Sequence, residues 1–153
     1  LLVRGQPAER RIKELFLQHK KNPRIVIQAG DIPEDELYQA DVFLNAEEFN
    51  GMSLPLQEAH ASGMLVMTSD RFPANTWLPG EPLIPVKGCR KYRIPGGAAL
   101  DFDRAIVDPR DVAAKIDEWH GRDITKLSLR GKAWAEENSW ERLKIRYLDA
   151  LRN

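Results

Sequence analysis

The sequence predicts an α/β fold: a Rossmann-like, doubly wound parallel sheet of about five strands, with helices on both faces and further helices at its C-terminal end. Two observations lead to this prediction. Short apolar runs rich in β-branched residues alternate with segments of helical spacing, and the links between them are short, as in successive β–α units. The run Met64–Met67 is continuously apolar and ends at polar Thr68, as a strand does when both of its faces are buried in a parallel sheet.

The predicted strands are short and lie in the first 86 residues. They are expected at Leu1–Val3, Arg24–Ala29, Asp41–Leu44, Met64–Thr68 and Leu83–Val86. A helix should join the first two, because Ile12, Leu15 and Phe16 recur at the spacing of one helical face. The short acidic segment 33–40 is expected to form one or two helical turns.

A helix of about ten residues is expected between the third and fourth strands. Ser53 is a suitable N-cap, because its hydroxyl can accept a hydrogen bond from a free backbone N–H. Pro55 falls in the first turn, where proline loses no intrahelical hydrogen bond. Gly63 can take the positive φ of a C-terminal cap. The helix is therefore marked at both ends by its own sequence.

The stretch Gly88–Val107 has no sustained periodicity and is predicted to be a long surface loop. It contains a basic cluster, Arg90–Arg93, and an acidic segment, Asp101–Asp103. We interpret the basic cluster as a solvated part of the loop. The alternative is a contact for phosphate or for an acidic partner.

Three helices are predicted at the C-terminal end. Asp108 supplies the N-cap of the first, a second covers Lys126–Glu137, and Ser139 caps the third. Apolar residues of the third helix form a stripe, which consists of Trp140, Leu143, Tyr147 and Leu151. This stripe is interpreted as core packing or as a docking surface for a neighbouring domain, rather than as a cofactor site.

Composition and charge exclude several classes of function. The 153 residues fit one domain, 1–153, and Lys+Arg equals Asp+Glu at 23 each, so no net field favours nucleic acid. No apolar run approaches the roughly 20 residues that span a bilayer, and the N-terminus lacks a signal-peptide pattern. Cys89 is the only cysteine and the three histidines are scattered, which disfavours disulfides and a zinc site. We expect a cytoplasmic protein with no metal.

The loop and helix start at Asn50–Leu54 form the candidate binding site. Ligands of doubly wound sheets bind outside the carboxyl ends of the strands, and the strand Asp41–Leu44 leads this loop to that edge. Gly51 allows close backbone approach, and the free N–H groups of a helix start suit a phosphate. Glu58 could accept hydrogen bonds from a diol such as the ribose hydroxyls. Most capped helices bind nothing, so the residues alone do not decide whether this is a binding site.

The same residues resemble a known family. The run Asn50–Val66, NGMSLPLQEAHASGMLV, is similar to the block E-G-F-G-L-P-L-x-E-A-M-A-x-G-x-P-V of retaining, group 1 nucleotide-sugar glycosyltransferases of the two-Rossmann-domain (GT-B) type. Leu1–Gly5, Ile25–Ile32 and Asp41–Asn45 resemble successive strands of that family's C-terminal, donor-binding domain. The segment Asn138–Trp140 resembles the start of its closing helix.

The resemblance implies a donor-binding domain whose substrate is a nucleoside-diphosphate sugar, with no cofactor and no metal. It implies that the sugar and diphosphate contact Asn50, Gly51, Met52, Ser53 and Leu54, that the ribose contacts Glu58, and that the base lies against Gly30, Asp31 and Ile32. It assigns no catalytic residue within this chain. The implied partners are an N-terminal acceptor domain and a second copy meeting an exposed domain interface, and the complete protein could lie at a membrane surface.

The chain departs from the family at one site position and at its beginning. Asn50 replaces the glutamate that contacts the donor sugar, and the family's preceding strand, with its diphosphate-clamping Arg and Lys, has no counterpart in this sequence. The sheet is therefore expected to be incomplete. Two functions stay open: the donor-binding half of a glycosyltransferase, and a catalytically silent sugar-nucleotide-binding or scaffolding module. A sugar-nucleotide epimerase is disfavoured, because its acid and base residues cannot be identified.

Overall fold

The computed structural model describes residues 2–5, 10–29, 32–80, 82–93 and 101–152. The chain divides into two compact units, Leu1–Leu37 and Tyr38–Asn153. The first unit consists of β1 (Leu2–Gly5), α1 (Arg10–His19), β2 (Val26–Ala29) and α2 (Glu34–Leu37). Its two strands pair in parallel, as a strand–helix–strand unit requires. That the whole chain behaves as one domain stays a prediction.

The second unit contains the remaining strands and helices. They are β3 (Val42–Asn45), α3 (Leu54–Ala61), β4 (Leu65–Ser69), α4 (Ala74–Trp77), β5 (Leu83–Ile84), β6 (Val86–Arg93), β7 (Asp101–Val107), α5 (Pro109–Trp119), α6 (Thr125–Glu137) and α7 (Trp140–Arg152). Every strand and helix that the sequence predicted has a counterpart here or in the first unit, with ends displaced by a few residues. Helix positions are predictable because caps and periodicity are local properties.

The strands β3, β4 and β5 form a parallel sheet in that order. All five residues of β4 are buried, which agrees with its continuous apolar sequence and its place between two strands. The α/β class and the Rossmann-like fold are confirmed. The described parallel strands pair as β1–β2 in the first unit and as β3–β4–β5 in the second, and the expected incompleteness of the sheet stays a prediction.

The core of the second unit lies between α3 and the sheet. Leu56 and Ala59 of α3 are fully buried and cluster with Met64, Val66 and Ala74. Partly buried Tyr38, Phe43, Trp77 and Leu78 surround this cluster. The opposite side of α3 is covered by α6, whose Trp134 ring lies 5.6 Å from the buried His60 ring. The helix that carries the candidate site is therefore fixed from two sides.

The prediction of a surface loop at Gly88–Val107 is wrong. This stretch forms an antiparallel pair, β6 and β7, within which residues 94–100 lie outside the described chain. Its cross-strand pairs include one aromatic pair, Tyr92 with Phe102, which lies between two pairs of opposite charge, Lys91 with Asp103 and Arg93 with Asp101. Charges occur on both faces, so the alternation of apolar and polar residues that identifies a strand is weak in the sequence.

The C-terminal helices agree in position with the prediction, but the packing of the last one does not. The Asp108 carboxylate accepts a hydrogen bond from the Arg110 N–H (2.9 Å), which confirms the predicted cap of α5. On α7, Trp140, Tyr147 and Leu151 are exposed, Leu151 to 84%. The interpretation of these three residues as core packing is therefore wrong. Their role as a docking surface stays a prediction. None of the helices in the described ranges is both long and apolar enough to cross a membrane.

Candidate functional site

The candidate site lies at the carboxyl end of the three-stranded sheet. The parallel strands β3 and β4 are in register from Val42 opposite Leu65 to Asn45 opposite Thr68, so their carboxyl ends meet at one edge. The loop 46–53 leaves β3 at this edge and leads into α3. This is the place at which parallel α/β sheets bind ligands, because loops and helix N-termini converge there.

The loop is held by one carboxylate, that of Glu47. Its Oε1 accepts hydrogen bonds from the side chains of Asn45 (2.7 Å), Asn50 (2.8 Å) and Ser53 (3.0 Å). Its Oε2 forms an ion pair with Arg71 (2.5 Å), and the two side chains are only 13% and 6% exposed. The carboxylate therefore ties the last residue of β3 and two loop residues to the residue that lies two positions beyond the end of β4.

Arg71 holds the same loop through a second contact. Its Nη1 group donates hydrogen bonds to the backbone oxygens of Asn50 (3.0 Å) and Phe72 (3.1 Å). The Ser69 hydroxyl at the end of β4 donates to the Glu47 backbone oxygen (2.7 Å). Sequence reasoning does not identify Glu47, because it is out of register with the glutamate of the family pattern, which Asn50 replaces. Acidic and basic residues that both follow parallel strands are the signal that could have identified this pair.

Ser53 adopts a different role from the predicted one. Its backbone is left-handed, with φ 45° and ψ 74°, and its hydroxyl makes no capping hydrogen bond. The hydroxyl donates to Glu47 instead, while the Ser53 backbone oxygen accepts from the Leu56 N–H (3.0 Å). The predicted start of the helix is confirmed and the predicted side-chain cap is wrong. The reason is geometric: Ser53 has a left-handed backbone rather than the extended backbone of a usual N-cap, and its hydroxyl is directed at the Glu47 carboxylate.

The other predicted donor-binding residues lie along an accessible surface. Gly51, Met52 and Leu54 are exposed, and a Cβ at Gly51 would meet no described atom within 4 Å. The first turn of α3 contains Pro55, which has no N–H, and begins at Leu54. The helix start therefore lies at an exposed surface, where the positive end of the helix dipole would stabilise an anion.

Glu58 lies one turn beyond Leu54 on the same side of α3. Its carboxylate is exposed, and its Oε2 accepts a short hydrogen bond from the Tyr38 hydroxyl. A tyrosine hydroxyl in this position orients the carboxylate without neutralising its charge. Sequence reasoning did not identify Tyr38, because this residue precedes Glu58 by 20 positions and belongs to no motif.

The predicted contacts to the base stay predictions. Gly30 and Asp31 lie outside the described residues, and Ile32 belongs to the first unit. The described ranges contain no group of three or more His, Cys, Asp or Glu residues that could hold a metal ion.

The β6–β7 pair packs against the beginning of the same loop. The Ala105 N–H donates to the Glu48 backbone oxygen (2.7 Å), and the Glu48 carboxylate forms an ion pair with Arg104. Phe49 contacts the rings of Tyr92 and Phe102, with centroid distances of 6.5 Å and 5.9 Å. The residues immediately before Asn50 are thus fixed by the strand pair, whereas those after it are fixed by Glu47 and Arg71.

This arrangement defines a Rossmann-like α/β protein whose candidate site is a loop and helix start at the carboxyl edge of parallel strands. The chain is similar to the solved structure of a GtfA/B complex, with a TM-score of 0.70 and 17% identity over 99% of this chain. It is also similar to the pneumococcal O-GlcNAc transferase GtfA in complex with UDP and GlcNAc, with a TM-score of 0.64 and 18% identity over 99% of this chain. The fold is therefore glycosyltransferase-like.

The chain spans 29% and 28% of the lengths of these two solved chains. No protein-family model matches the chain, and no curated protein matches it significantly.

Proposed function

We propose that this chain is the C-terminal, donor-binding domain of a retaining GT-B glycosyltransferase, and that the complete protein transfers a sugar from a nucleoside diphosphate to an acceptor. The observation that carries the proposal is the fold similarity over 99% of the chain to glycosyltransferase structures, one of which is a complex with UDP and GlcNAc. The exposed loop and helix start at the carboxyl edge of the sheet support it, since they suit a diphosphate.

The donor would lie along α3. Its diphosphate would face the backbone at Ser53 and Leu54, where the positive end of the helix dipole favours negative charge. Its ribose hydroxyls would donate to Glu58, which the Tyr38 hydroxyl orients. Negative charge grows on the diphosphate as the bond to the sugar breaks, so the same N–H groups would stabilise the transition state. No metal is required for this stabilisation.

Glu58→Ala tests the proposal directly. The substitution removes the acceptor for the ribose hydroxyls, and hydrogen bonds to charged groups contribute enough that UDP affinity should fall by about tenfold or more. Isothermal titration calorimetry of the complete protein with UDP, GDP and ADP measures the effect. Glu118→Ala is the matched control, because this exposed carboxylate on α5 pairs with Lys115 and lies on another helix.

Two results would refute donor binding. The first is equal affinity of wild type and Glu58→Ala for the preferred nucleotide. The second is the absence of measurable heat with all three nucleoside diphosphates.

The second candidate is a catalytically silent sugar-nucleotide-binding or scaffolding module. Asn50 favours it, because this neutral side chain occupies the position of a donor-contacting glutamate and donates its amide to Glu47. A silent module would bind UDP without hydrolysing or transferring any UDP-sugar. Detection of transfer or of donor hydrolysis by the complete protein would exclude this candidate, and Asn50→Glu would show whether the amide limits the rate.

A further inference from the structure

Ser53, at the start of α3, has a backbone conformation that serine rarely adopts. Its φ is 45° and its ψ is 74°, and among the described residues it is the only one other than glycine with a positive φ. This left-handed region is unfavourable for a residue with a Cβ, because the Cβ comes too close to the following carbonyl oxygen. Such a conformation persists only where the surrounding contacts hold it in place.

The Glu47 carboxylate supplies these contacts. The Ser53 hydroxyl donates to its Oε1 atom (3.0 Å), and Ser53 is only 4% exposed, so water competes little for this bond. The Oε2 atom of Glu47 is fixed in turn by Arg71, which also donates to the Asn50 backbone oxygen (3.0 Å). The ion pair thus holds the loop both at Ser53 and three residues before it.

The conformation of Ser53 matters for the backbone N–H groups at the start of α3. Leu54, the next residue, is the first residue of the right-handed helix. A left-handed residue beside a right-handed one turns two successive N–H groups toward the same side, and this concave arrangement binds anions. The first turn of a helix offers these N–H groups no intrahelical acceptor. An anion at this helix start therefore depends on the conformation of Ser53.

The glycosyltransferase block that this stretch resembles, E-G-F-G-L-P-L, has glycine at the position of Ser53. Glycine adopts the left-handed region without a steric cost. Serine needs support from outside the residue to adopt the same conformation, and the contacts of Glu47 provide that support.

We propose that Glu47 and Arg71 are positioning residues, which hold Ser53 in its left-handed conformation and thereby shape the anion site for the diphosphate of the donor. The proposal rests on the proposed donor-binding function. It identifies the residues that keep the anion site of that function in shape, and it assigns the Ser53 hydroxyl to Glu47 rather than to the donor.

A matched pair of substitutions at Ser53 tests the proposal. Ser53→Ala and Ser53→Gly both remove the hydroxyl, but only glycine adopts the left-handed conformation without help. Ser53→Ala should weaken UDP binding about tenfold, whereas Ser53→Gly should bind UDP within about threefold of wild type. Isothermal titration calorimetry of the complete protein measures both affinities, at a temperature at which circular dichroism shows each variant to be folded.

The same comparison tests the role of the ion pair. Glu47→Gln and Arg71→Met should each weaken UDP binding about tenfold in the wild-type background, and much less in the Ser53→Gly background, because glycine does not need the pair. An ion pair that only stabilises the fold would give equal losses of affinity in both backgrounds. Ser62→Ala and Ser62→Gly are the controls at the other end of α3. The φ of Ser62 is −79°, so glycine has no advantage there and both controls should bind UDP as wild type does.

The proposal is overturned if Ser53→Ala and Ser53→Gly bind UDP equally well. Equal weakening would mean that the donor contacts the hydroxyl itself, and equal retention would mean that the left-handed conformation is not needed. Calorimetry of the wild type separates this proposal from the donor function. Absence of heat with UDP, GDP and ADP refutes the donor function, and the positioning role with it. Binding by the wild type without rescue by glycine refutes the positioning role alone.

Discussion

Gly131 of α6 lies against His60 of α3 in the core. A Cβ at this position would lie 2.4 Å from the Nδ1 atom of His60, and His60 is fully buried. Trp134, on the next turn of α6, packs against the same imidazole. The helix sequence alone gives no reason for a glycine here, because 71 positions separate the two residues and the contact exists only after folding.

Gly131→Ala should destabilise the protein by about 2 kcal/mol, since overpacking a tight contact outweighs the gain of roughly 1 kcal/mol in helix propensity. Urea unfolding followed by circular dichroism measures the change. The double variant with His60→Ala should lose less than the sum of the two single variants, because both substitutions act on one contact. A Gly131→Ala protein as stable as wild type would show that α6 can move away from α3.

His60 should make folding stability depend on pH. Burial lowers the pKa of His60 from 6.5 to about 4, so the folded protein holds this imidazole neutral where the unfolded chain protonates it. The stabilising contribution is complete above pH 6.5 and falls as the pH drops toward 4, by up to about 3 kcal/mol in total. Thermal unfolding between pH 4 and pH 7 measures this slope.

His60→Gln should flatten the pH dependence of stability between pH 4 and pH 7, and an unchanged slope would contradict the assignment to His60.

Asp108 affects folding stability in a lower pH range. Hydrogen bonds from Arg110 lower its pKa from 3.8 to about 2, so its stabilising effect is lost only as the pH falls from 3.8 toward 2.

At the scale of elements, the ion pair of Glu47 and Arg71 connects the ends of two strands. Glu47 follows β3 and Arg71 follows β4, and their contact fixes the loop that leads into α3. Buried ion pairs rarely add net stability compared with an apolar pair, but removing one partner leaves an uncompensated charge. The pair therefore holds the loop in its conformation, and loss of either residue should disturb that conformation.

Glu47→Gln should destabilise the protein by about 3 kcal/mol, because it leaves the buried Arg71 guanidinium without a counter-charge. Glu118→Gln is a matched control: it breaks the more exposed pair with Lys115 and should cost less than about 1 kcal/mol. Chemical denaturation of both variants gives the comparison. Equal losses would mean that the Glu47 pair is as dispensable as a surface pair.

In the part of the chain that the structure describes, the buried residues lie in the second unit. All residues of β4 are buried between two strands, whereas Leu2 of β1 and Val26 of β2 are exposed. Hydrogen exchange follows local opening, and local opening is easiest where few buried apolar contacts must be broken.

Amide exchange in β4 should therefore be slower than in β1 and β2 by roughly 100-fold or more. Hydrogen–deuterium exchange with mass spectrometry, at a pH at which the protein is fully folded, measures the ratio. Similar protection of all three strands would indicate that the two units open together, and would support the prediction that the chain is one domain.

Much of the fold follows from local sequence. Asp108 caps α5, Gly63 takes a positive φ, and Met64–Met67 marks the buried strand, because caps, turns and burial patterns act over a few residues. The position of the candidate loop follows as well, since a strand followed by a helix in a parallel sheet places the link at the carboxyl edge.

The partners of the site residues follow from the folded chain and not from local sequence. The Ser53 hydroxyl donates to Glu47 instead of capping its helix, Tyr38 orients Glu58, and Phe49 packs on the β6–β7 pair. Each of these contacts forms only when the chain folds. The sequence offers several possible partners for each side chain, and the folded geometry selects one of them. Local sequence therefore predicts most of the strands and helices and the position of the candidate loop, whereas β6, β7 and the contacts that hold the loop in shape depend on the folded chain.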